Sequence, residues 1–309
     1  MQRKMEKRKA DEILYATSPK VLPHLKLTRQ DNFICGTLSG FLARTLTSPL
    51  DVIKLLIQVG TKGESISSCC REIYKRDGIR GFWNGNAISV INQGFYSGIK
   101  FFIVKEIHDY TGKSVDATSL ESAITGGVAG VISQIAVFPL DLIRTRIIVQ
   151  PSQYKGFFHA CNKIARDEGI TSLWSGLLPT IVGSIPYESS QYLVYGQLRQ
   201  FAVNKSSQPL TPLQNVTFGT IAGIASATIT YPFENVRKMM MITDENGNKL
   251  HTSMIGCMKS VFKTEGIHGL YKGVALNAIK VIPYSALQYT LYDEVCKLFI
   301  RAKKIVYDE

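Results

Sequence analysis

The 309-residue sequence lacks most of the features that indicate a catalytic, metal-binding or disulfide-rich protein. It contains only two tryptophans, five histidines and six cysteines. The cysteines show no C-x-x-C spacing and are too sparse for a disulfide scaffold, so neither a zinc site nor a bridge framework is predicted. There is no G-x-S-x-G motif and no phosphate-binding glycine loop, and no histidine has ligand spacing or a paired nucleophile. We therefore expect no enzyme activity, no metal and no organic cofactor.

The N-terminal residues 1–29 lack the pattern of a targeting peptide. Their basic residues are not followed by an apolar run of roughly 7 to 15 residues, which excludes a secretory signal. The acids Glu6, Asp11 and Glu12 argue against a cleaved transit peptide. We predict a polar, solvated tail here, and we find no later segment with the composition of a flexible linker between domains.

The charge balance is strongly basic. Lysine and arginine outnumber aspartate and glutamate by 36 to 24, which gives a net charge of +12. Such a balance suits an anionic substrate, an anionic lipid surface or a nucleic acid. Several of the basic residues lie inside apolar stretches rather than on an exposed face that carries aromatic residues, so a nucleic-acid partner is not expected.

Three short phrases recur three times along the chain at nearly constant spacing, which indicates an internal repeat. The prolines Pro49, Pro139 and Pro232 lie 90 and 93 residues apart, and each is followed by an acid at the second position and a base at the fifth. An acid-Gly phrase keeps the same spacing as DGIRGFWNG, EGITSLWSG and EGIHGLYKG. A pair of glycines precedes each proline, with its first member 13 residues upstream: Gly36 and Gly40, Gly126 and Gly130, Gly219 and Gly223.

Each repeat contains two apolar stretches long enough to cross a membrane, for which about 20 helical residues suffice. A polar segment and a short amphipathic helix ending at the acid-Gly pair separate the two stretches. Overall hydropathy is near zero because a helix that lines a water-filled cavity needs only one lipid-facing stripe. The six stretches are 31–58, about 86–107, 121–149, 177–199, 213–241 and 274–299.

This organisation predicts an all-α membrane protein with six transmembrane helices in three pseudo-symmetric repeats, each with one short helix outside the membrane. The predicted segments are the N-terminal tail 1–29, the repeats 30–115, 116–206 and 207–302, and the C-terminal tail 303–309.

The proline and the acid-base pair of each first helix predict a ring of ion pairs. Proline bends a helix, so three bent helices related by threefold pseudo-symmetry converge at one end of the bundle. The acid and the base are three residues apart and share a helix face. Each helix can therefore pair its acid with one neighbouring helix and its base with the other. Because desolvation offsets most of the attraction, such a ring is weak enough to open as a gate, although a static lock is the alternative. The predicted pairs are Asp51 with Arg144, Asp141 with Arg237, and Glu234 with Lys54.

The repeated P-x-[DE]-x-x-[KR] and [DE]-G-x-x-x-x-[WY]-x-G motifs resemble those of the mitochondrial carrier family over residues 30 to 300. The resemblance implies the carrier fold with short matrix helices, a multi-pass position in the mitochondrial inner membrane, and a functional monomer that opens alternately to the two sides. The IPY and PLQN phrases are most similar to the branch of coenzyme A, ATP-magnesium/phosphate and thiamine pyrophosphate carriers. Gln58 matches the family's glutamine brace beneath the matrix ring, whereas Ile148 and Met241 stand at the corresponding positions.

The second gate of the family, on the cytoplasmic side, is degenerate in this sequence. At the acid and base positions of the even-numbered helices the sequence has Glu106 and Asp109, Gly196 and Arg199, and Asp293 and Cys296. None of these pairs is intact, so the resemblance predicts weak closure on this side, with Lys297 as a partial substitute.

The W-x-G and Y-x-G phrases are similar to the cardiolipin-binding sites of the family. They begin the even-numbered helices, where free backbone amides attract phosphate. An alternative role for the aromatic residues is anchoring at the membrane interface. The predicted residues are Trp83, Gly85, Trp174, Gly176, Tyr271 and Gly273.

The family's substrate contact points fall halfway along the even-numbered helices, and Arg44 matches a further cavity-facing base. Bases here outnumber acids three to one, which favours a phosphorylated nucleotide-like or cofactor-like anion with Gly183 and Ser184 offering a surface for its ring. An amino acid or other small metabolite is the alternative substrate, and a non-transporting membrane scaffold the alternative function. The predicted residues are Arg44, Asn92, Tyr96, Lys100, Gly183, Ser184, Glu188, Lys280, Tyr284 and Ser285.

Overall fold

The computed structural model describes residues 28–60, 65–111, 120–206, 211–244 and 247–308, so nearly all of the predicted N-terminal tail lies outside the described residues. Among these residues the fold is helical, and the one β-bridge joins Thr243 to Lys249. Short 3-10 turns at Gly78–Trp83 and Ile170–Trp174 precede the second long helix of the first two repeats. The helices are α1 (Arg29–Val59), α2 (Ile66–Asp77), α3 (Asn86–Thr111), α4 (Leu120–Val149), α5 (Phe157–Asp167), α6 (Leu177–Ser206), α7 (Pro212–Met241), α8 (Met254–Leu270) and α9 (Val274–Asp308).

The six long helices form a closed bundle. Helix α3 packs against α4, α6 against α7, and α9 against α1, so that each repeat is joined to the next through its second long helix. Helices α1, α4 and α7, which carry Pro49, Pro139 and Pro232 and are called the proline helices here, also touch one another pairwise. Helix α9 continues to Asp308, so the predicted C-terminal tail is helical, and Lys303 pairs with Asp31 at the start of α1 at 2.7 Å.

Two parts of the described chain are long and apolar enough to qualify as membrane spans by hydropathy: Ile66–Thr111, which contains α2 and α3, and Thr125–Val149 in α4. The other long helices fall below this threshold. Polar and charged side chains that face the interior of the bundle lower their mean hydropathy, as expected for helices around a polar cavity.

The three short helices hold the C-terminal halves of the proline helices in place. In each repeat a buried apolar cluster joins the residues after the proline to the short helix, as with Ile53 and Ile73 in the first repeat. The second cluster joins α4 to α5, and the third joins α7 to α8. The ends of α1, α4 and α7 are therefore fixed by apolar packing outside the centre of the bundle.

The tryptophans of the W-x-G phrases donate hydrogen bonds to carbonyls that the prolines leave free. A proline has no N–H group, so the carbonyl four residues before it loses its helical partner. Trp83 Nε1 donates to the carbonyl of Thr45, four residues before Pro49, at 2.9 Å. Trp174 Nε1 likewise donates to the carbonyl of Ile135, at 2.9 Å.

The third repeat departs from this arrangement. Tyr271 stands where the other repeats have tryptophan, and its ring stacks on Tyr231 with centroids 6.3 Å apart. Sequence reasoning had suggested only lipid-facing roles for these aromatic residues. For Trp83 and Trp174 the structure adds a role in stabilising the proline bend.

The second repeat contains a buried charge cluster that sequence reasoning missed. The Arg146 side chain is fully buried, and its Nη2 donates to Glu168 Oε2 at 2.8 Å. Its Nη1 contacts the second Glu168 oxygen and donates to the Tyr154 hydroxyl at 3.1 Å. Its Nε donates to the carbonyl of Met241 at 2.7 Å. Arg146 therefore ties the end of α4 to the end of α7, near the level at which the sequence places Ile148 and Met241 and predicts no brace.

We predict that the bond between Trp174 and the Ile135 carbonyl compensates for Pro139. Trp174→Phe removes one net hydrogen bond, so the melting temperature in detergent should fall by about 2–4 °C. In a Pro139→Ala background the restored N–H can bond the Ile135 carbonyl, so the same change should cost much less. Equal losses in both backgrounds would show that the tryptophan acts through packing alone.

Candidate functional site

The structure brings together all three of the predicted acid-base pairs where α1, α4 and α7 converge. Lys54 Nζ lies 2.7 Å from Glu234 Oε1, and Arg144 Nη2 lies 3.7 Å from Asp51 Oδ2. Arg237 Nη2 is in direct contact with Asp141 Oδ2. We call these six residues the ion-pair ring: Asp51, Lys54, Asp141, Arg144, Glu234 and Arg237.

Two further lysines make the ring asymmetric. Lys280 Nζ, from α9, lies 2.5 Å from Asp51 Oδ1, and Lys238 Nζ lies 3.0 Å from Asp141 Oδ2. Two of the three acids are thus each shared between two cations. Lys238 was not predicted, because its place next to the motif base in VRK gives no indication of which way its side chain turns.

The predicted brace residue, Gln58, makes a specific contact between α1 and α7. Its Nε2 donates to the hydroxyl of Tyr231 at 3.1 Å, and both side chains are buried. The ammonium of Lys54 lies 5.6 Å from the centre of the Tyr231 ring. Lys54 also donates to Asn277 Oδ1 at 2.7 Å, a contact from α9 that the sequence analysis did not anticipate. The pair between Lys54 and Glu234 is therefore held on several sides.

The three glycines of the W-x-G and Y-x-G phrases lie against the proline helix of a neighbouring repeat. Each has a positive φ, from +72° at Gly85 to +93° at Gly176. A Cβ on Gly85 would lie 3.0 Å from Arg144 Cγ, and one on Gly176 would lie 2.8 Å from the Arg237 carbonyl oxygen. On Gly273 it would lie 3.2 Å from Gln58 Cγ. These positions require glycine for both backbone and packing, because any side chain would push on a residue of the ring or its brace.

A polar cavity of about 290 Å³ lies at the ion-pair ring, surrounded by six basic and three acidic side chains. Four of the ten predicted substrate-binding residues line it: Arg44, Asn92, Tyr96 and Lys280. Residues that were not predicted, Gln93, Gln134 and Lys238, also contribute. The other six predicted residues lie outside its lining: Lys100, Gly183, Ser184, Glu188, Tyr284 and Ser285.

The predicted cavity bases are not free in this conformation. Arg44 Nη1 donates to the Ser89 hydroxyl at 3.0 Å and to the Ser89 carbonyl at 3.2 Å. Lys280 is paired with Asp51, and its ammonium lies 5.8 Å from the centre of the Tyr284 ring. Lys100 lies 5.9 Å from the centre of the Tyr96 ring and does not reach the cavity.

The structure corrects the expectation that Gly183 and Ser184 offer an open surface to a substrate ring. Gly183 is buried, and a Cβ placed there would lie 2.8 Å from Phe233 Cβ. The small residue therefore permits close packing of α6 against α7. The hydroxyl of Ser184 donates to the Ile181 carbonyl of its own helix at 2.7 Å.

The opposite end of the bundle carries no ring. Among the described residues, Glu106, Asp109, Arg199 and Asp293 are exposed and make no ion pair. Lys297 does not substitute for a missing base, because it pairs with Glu294 of its own helix at 2.6 Å.

A second cavity, of about 550 Å³, lies beside Trp174 and Gly176, two of the predicted cardiolipin-binding residues. The loop before α8 contributes Lys249, His251 and Ser253. Burial lowers the pKa of His251 below its usual range, so it is neutral at pH 7 and Lys249 is the cation at this cavity.

Comparison with known proteins agrees with the threefold geometry. The sequence matches the family described as "Mitochondrial carrier protein" three times, at residues 26–114, 116–206 and 208–303. The chain belongs to the mitochondrial carrier family. This is a family of solute carriers, and the predicted multi-pass location in the mitochondrial inner membrane is confirmed.

Relatives of this carrier include proteins named for nucleotide and cofactor transport. It is 30% identical to a chloroplastic/mitochondrial adenine nucleotide transporter of Arabidopsis thaliana, over 86% of this chain and 69% of the relative. It is also 30% identical to a mitochondrial coenzyme A transporter of Rattus norvegicus, over 85% and 86%. A calcium-dependent mitochondrial ATP-magnesium/phosphate carrier of Arabidopsis thaliana is 30% identical over 89% of this chain and 57% of the relative.

We predict that exchanging the charges of Lys54 and Glu234 rescues the damage done by either change alone. This is the best pair to test because Glu234 forms no ion pair with a second cation among the described residues. Lys54→Glu places a second acid beside the half-buried Glu234 and removes its partner, so it should destabilise the carrier by about 2 kcal/mol after allowance for solvent screening. Adding Glu234→Lys should recover most of the loss in melting temperature.

The matched control for this exchange is Lys272→Glu, which breaks a more exposed pair with Glu265 in the short-helix region. It should change the melting temperature little, because exposed ion pairs contribute little. A double variant no more stable than Lys54→Glu would contradict the pairing.

Proposed function

We propose that this carrier moves a phosphorylated nucleotide-like or cofactor-like anion across the inner membrane by alternating access, with all six long helices crossing the bilayer. The observation that supports this proposal is the excess of positive charge in the cavity at the ion-pair ring. Its alternatives are an amino acid or other small-metabolite carrier, and a non-transporting membrane scaffold.

The cavity is lined by three more basic than acidic side chains. The acids Asp51, Asp141 and Glu234 are balanced by the three bases of the ring, and Arg44, Lys238 and Lys280 remain as surplus cations at the same cavity. A net excess of bases over acids in a membrane interior is costly and marks the path of a charged solute. A substrate with several phosphate charges would offset all three, whereas a neutral amino acid would offset none.

The ion-pair ring is proposed to be the matrix gate, with Gln58 as its brace. The ring closes one end of the cavity, and within the described part of the chain the other end carries no comparable set of pairs. The conformation described therefore corresponds to a carrier open toward the cytoplasmic side. Because the ring's net stability is small, displacement of its acids by an anionic substrate would be enough to allow opening. A static lock would not explain why surplus cations line the cavity directly at the ring.

The substrates for which the relatives are named are anions, as the positive charge of the cavity requires. Adenine nucleotides, coenzyme A and ATP-magnesium all carry phosphate groups, and this carrier is about equally similar to the three relatives named for them. Similarity at this level supports the chemical class, a phosphorylated cofactor or nucleotide, and it does not choose among the members. The amino-acid alternative has no support of this kind.

Cardiolipin is the lipid partner proposed for the second cavity. A phosphate there would lie near Lys249 and the N-terminus of α8, which Ser253 caps. The Gly85 and Gly273 phrases are the pseudo-symmetric candidates in the other repeats. We propose that one chain is functional alone, because the cavity and the ion-pair ring are built entirely within it.

A thermal-shift comparison of purified carrier tests the proposed substrate class. ATP and coenzyme A should raise the melting temperature of the wild-type protein, whereas neutral amino acids should leave it unchanged. Lys280→Gln should reduce the ATP shift and reduce liposome uptake at least about tenfold, since it removes a charged contact to phosphate. Its melting temperature without ligand should stay near the wild-type value, because Asp51 keeps Arg144 as a partner.

The matched control is Lys259→Gln, which removes an exposed lysine on α8 far from the cavity lining. This variant should bind and transport like wild type. Stabilisation by amino acids but not by ATP or coenzyme A would favour the amino-acid alternative, and stabilisation by none of these ligands would favour the scaffold.

A further inference from the structure

The three repeats place different residues at one equivalent position of the cavity wall. Five residues before each proline the chain has Arg44, Gln134 and Ala227. Arg44 and Gln134 both line the cavity at the ion-pair ring. The base at this position, Arg44, suits a phosphate group. Gln134 instead offers an uncharged amide with one acceptor and two donors.

Gln134 is the cavity amide without a partner. Among the described residues its side chain makes no hydrogen bond. The other two amides of this wall are engaged: Asn92 Nδ2 donates to the Val137 carbonyl at 3.1 Å, and Gln93 Nε2 donates to the Ser97 hydroxyl at 3.3 Å. A half-buried amide with free donors and acceptors is suited to a ligand that supplies both.

An aromatic side chain lies on the same side of α4 as Gln134. The hydroxyl of Tyr96, from α3, would be 3.6 Å from a Cβ on Gly130. Gly130 and Gln134 are four residues apart on one helix, so they share a face. The α3–α4 wall therefore joins a phenol ring and a free amide immediately beside the cavity bases.

We propose that this wall, and not the α6 surface that Phe233 fills, recognises the base of the substrate. This assignment rests on the proposed function. The Gln134 amide bonds the edge of a nucleobase that presents a donor beside an acceptor. Adenine has this pattern at N6 and N7, and a glutamine amide matches it with two hydrogen bonds. Tyr96 forms the side wall against the base, while the phosphates lie toward Arg44 and Lys280.

Binding of three probes to wild type and to Gln134→Met tests this assignment: ATP, inosine triphosphate and tripolyphosphate. Inosine triphosphate has an acceptor in place of the N6 donor, and tripolyphosphate has no base. Wild type should bind ATP about tenfold more tightly than inosine triphosphate, and Gln134→Met should lose this preference. Binding of tripolyphosphate should be the same in both proteins, which a general structural defect would not allow.

Gln197→Met is the matched control, because it removes the amide of an exposed glutamine on α6 that lies outside the cavity lining. It should retain the preference for ATP. Gln134→Ala serves as a second variant with a smaller side chain, and the melting temperature without ligand reports on folding in each case.

The outcomes separate this assignment from the proposed function. If wild type binds neither ATP nor tripolyphosphate, the proposed function fails. If wild type binds both but does not prefer ATP over inosine triphosphate, the assignment of Gln134 is overturned while the proposed function stands. The same holds if Gln134→Met and Gln134→Ala keep the preference, or if Gln197→Met loses it equally.

Discussion

The structure depends on one electrostatic constraint: six charged side chains meet at the centre of a helical bundle and must satisfy one another there. Each proline helix contributes one acid and one base. Each of these side chains pairs with a residue of a different repeat. The pairs between Lys54 and Glu234 and between Arg144 and Asp51 are contacts between different repeats. Closure of this end therefore requires all three repeats in register, which apolar packing alone would not enforce.

The parts around the ring serve this convergence. The prolines bend the helices inward, and the tryptophan N–H groups of the first two repeats occupy the carbonyls that the bends leave free. The glycines of the same phrases, which have positive φ, lie close to the ring bases Arg144 and Arg237 and to the brace Gln58. The motifs that appear separate in the sequence are thus neighbours in space, and they support the same bend.

The pseudo-symmetry is imperfect, because the contacts between the proline helices differ from one pair of helices to the next. Arg146 adds a buried tie between α4 and α7, Gln58 bonds Tyr231 between α1 and α7, and the pair of Arg144 with Asp51 between α1 and α4 is the longest of the ring. Cations from outside the six ring positions, Lys238 and Lys280, reach two of its acids. A threefold scaffold with different side chains at equivalent depths can bind an asymmetric solute, for which three identical walls would offer no orientation.

The repeat, the helical class, the family and the partners within the ring could be predicted from the sequence, because proline spacing and acid-base offsets are local patterns that threefold symmetry converts into contacts. The direction in which individual side chains turn could not be predicted in this way. The tertiary structure placed Phe233 against Gly183, Lys297 on Glu294, and Lys238 on Asp141. Such choices depend on packing between helices distant in sequence, and a linear pattern contains no information about which neighbour a long side chain will meet.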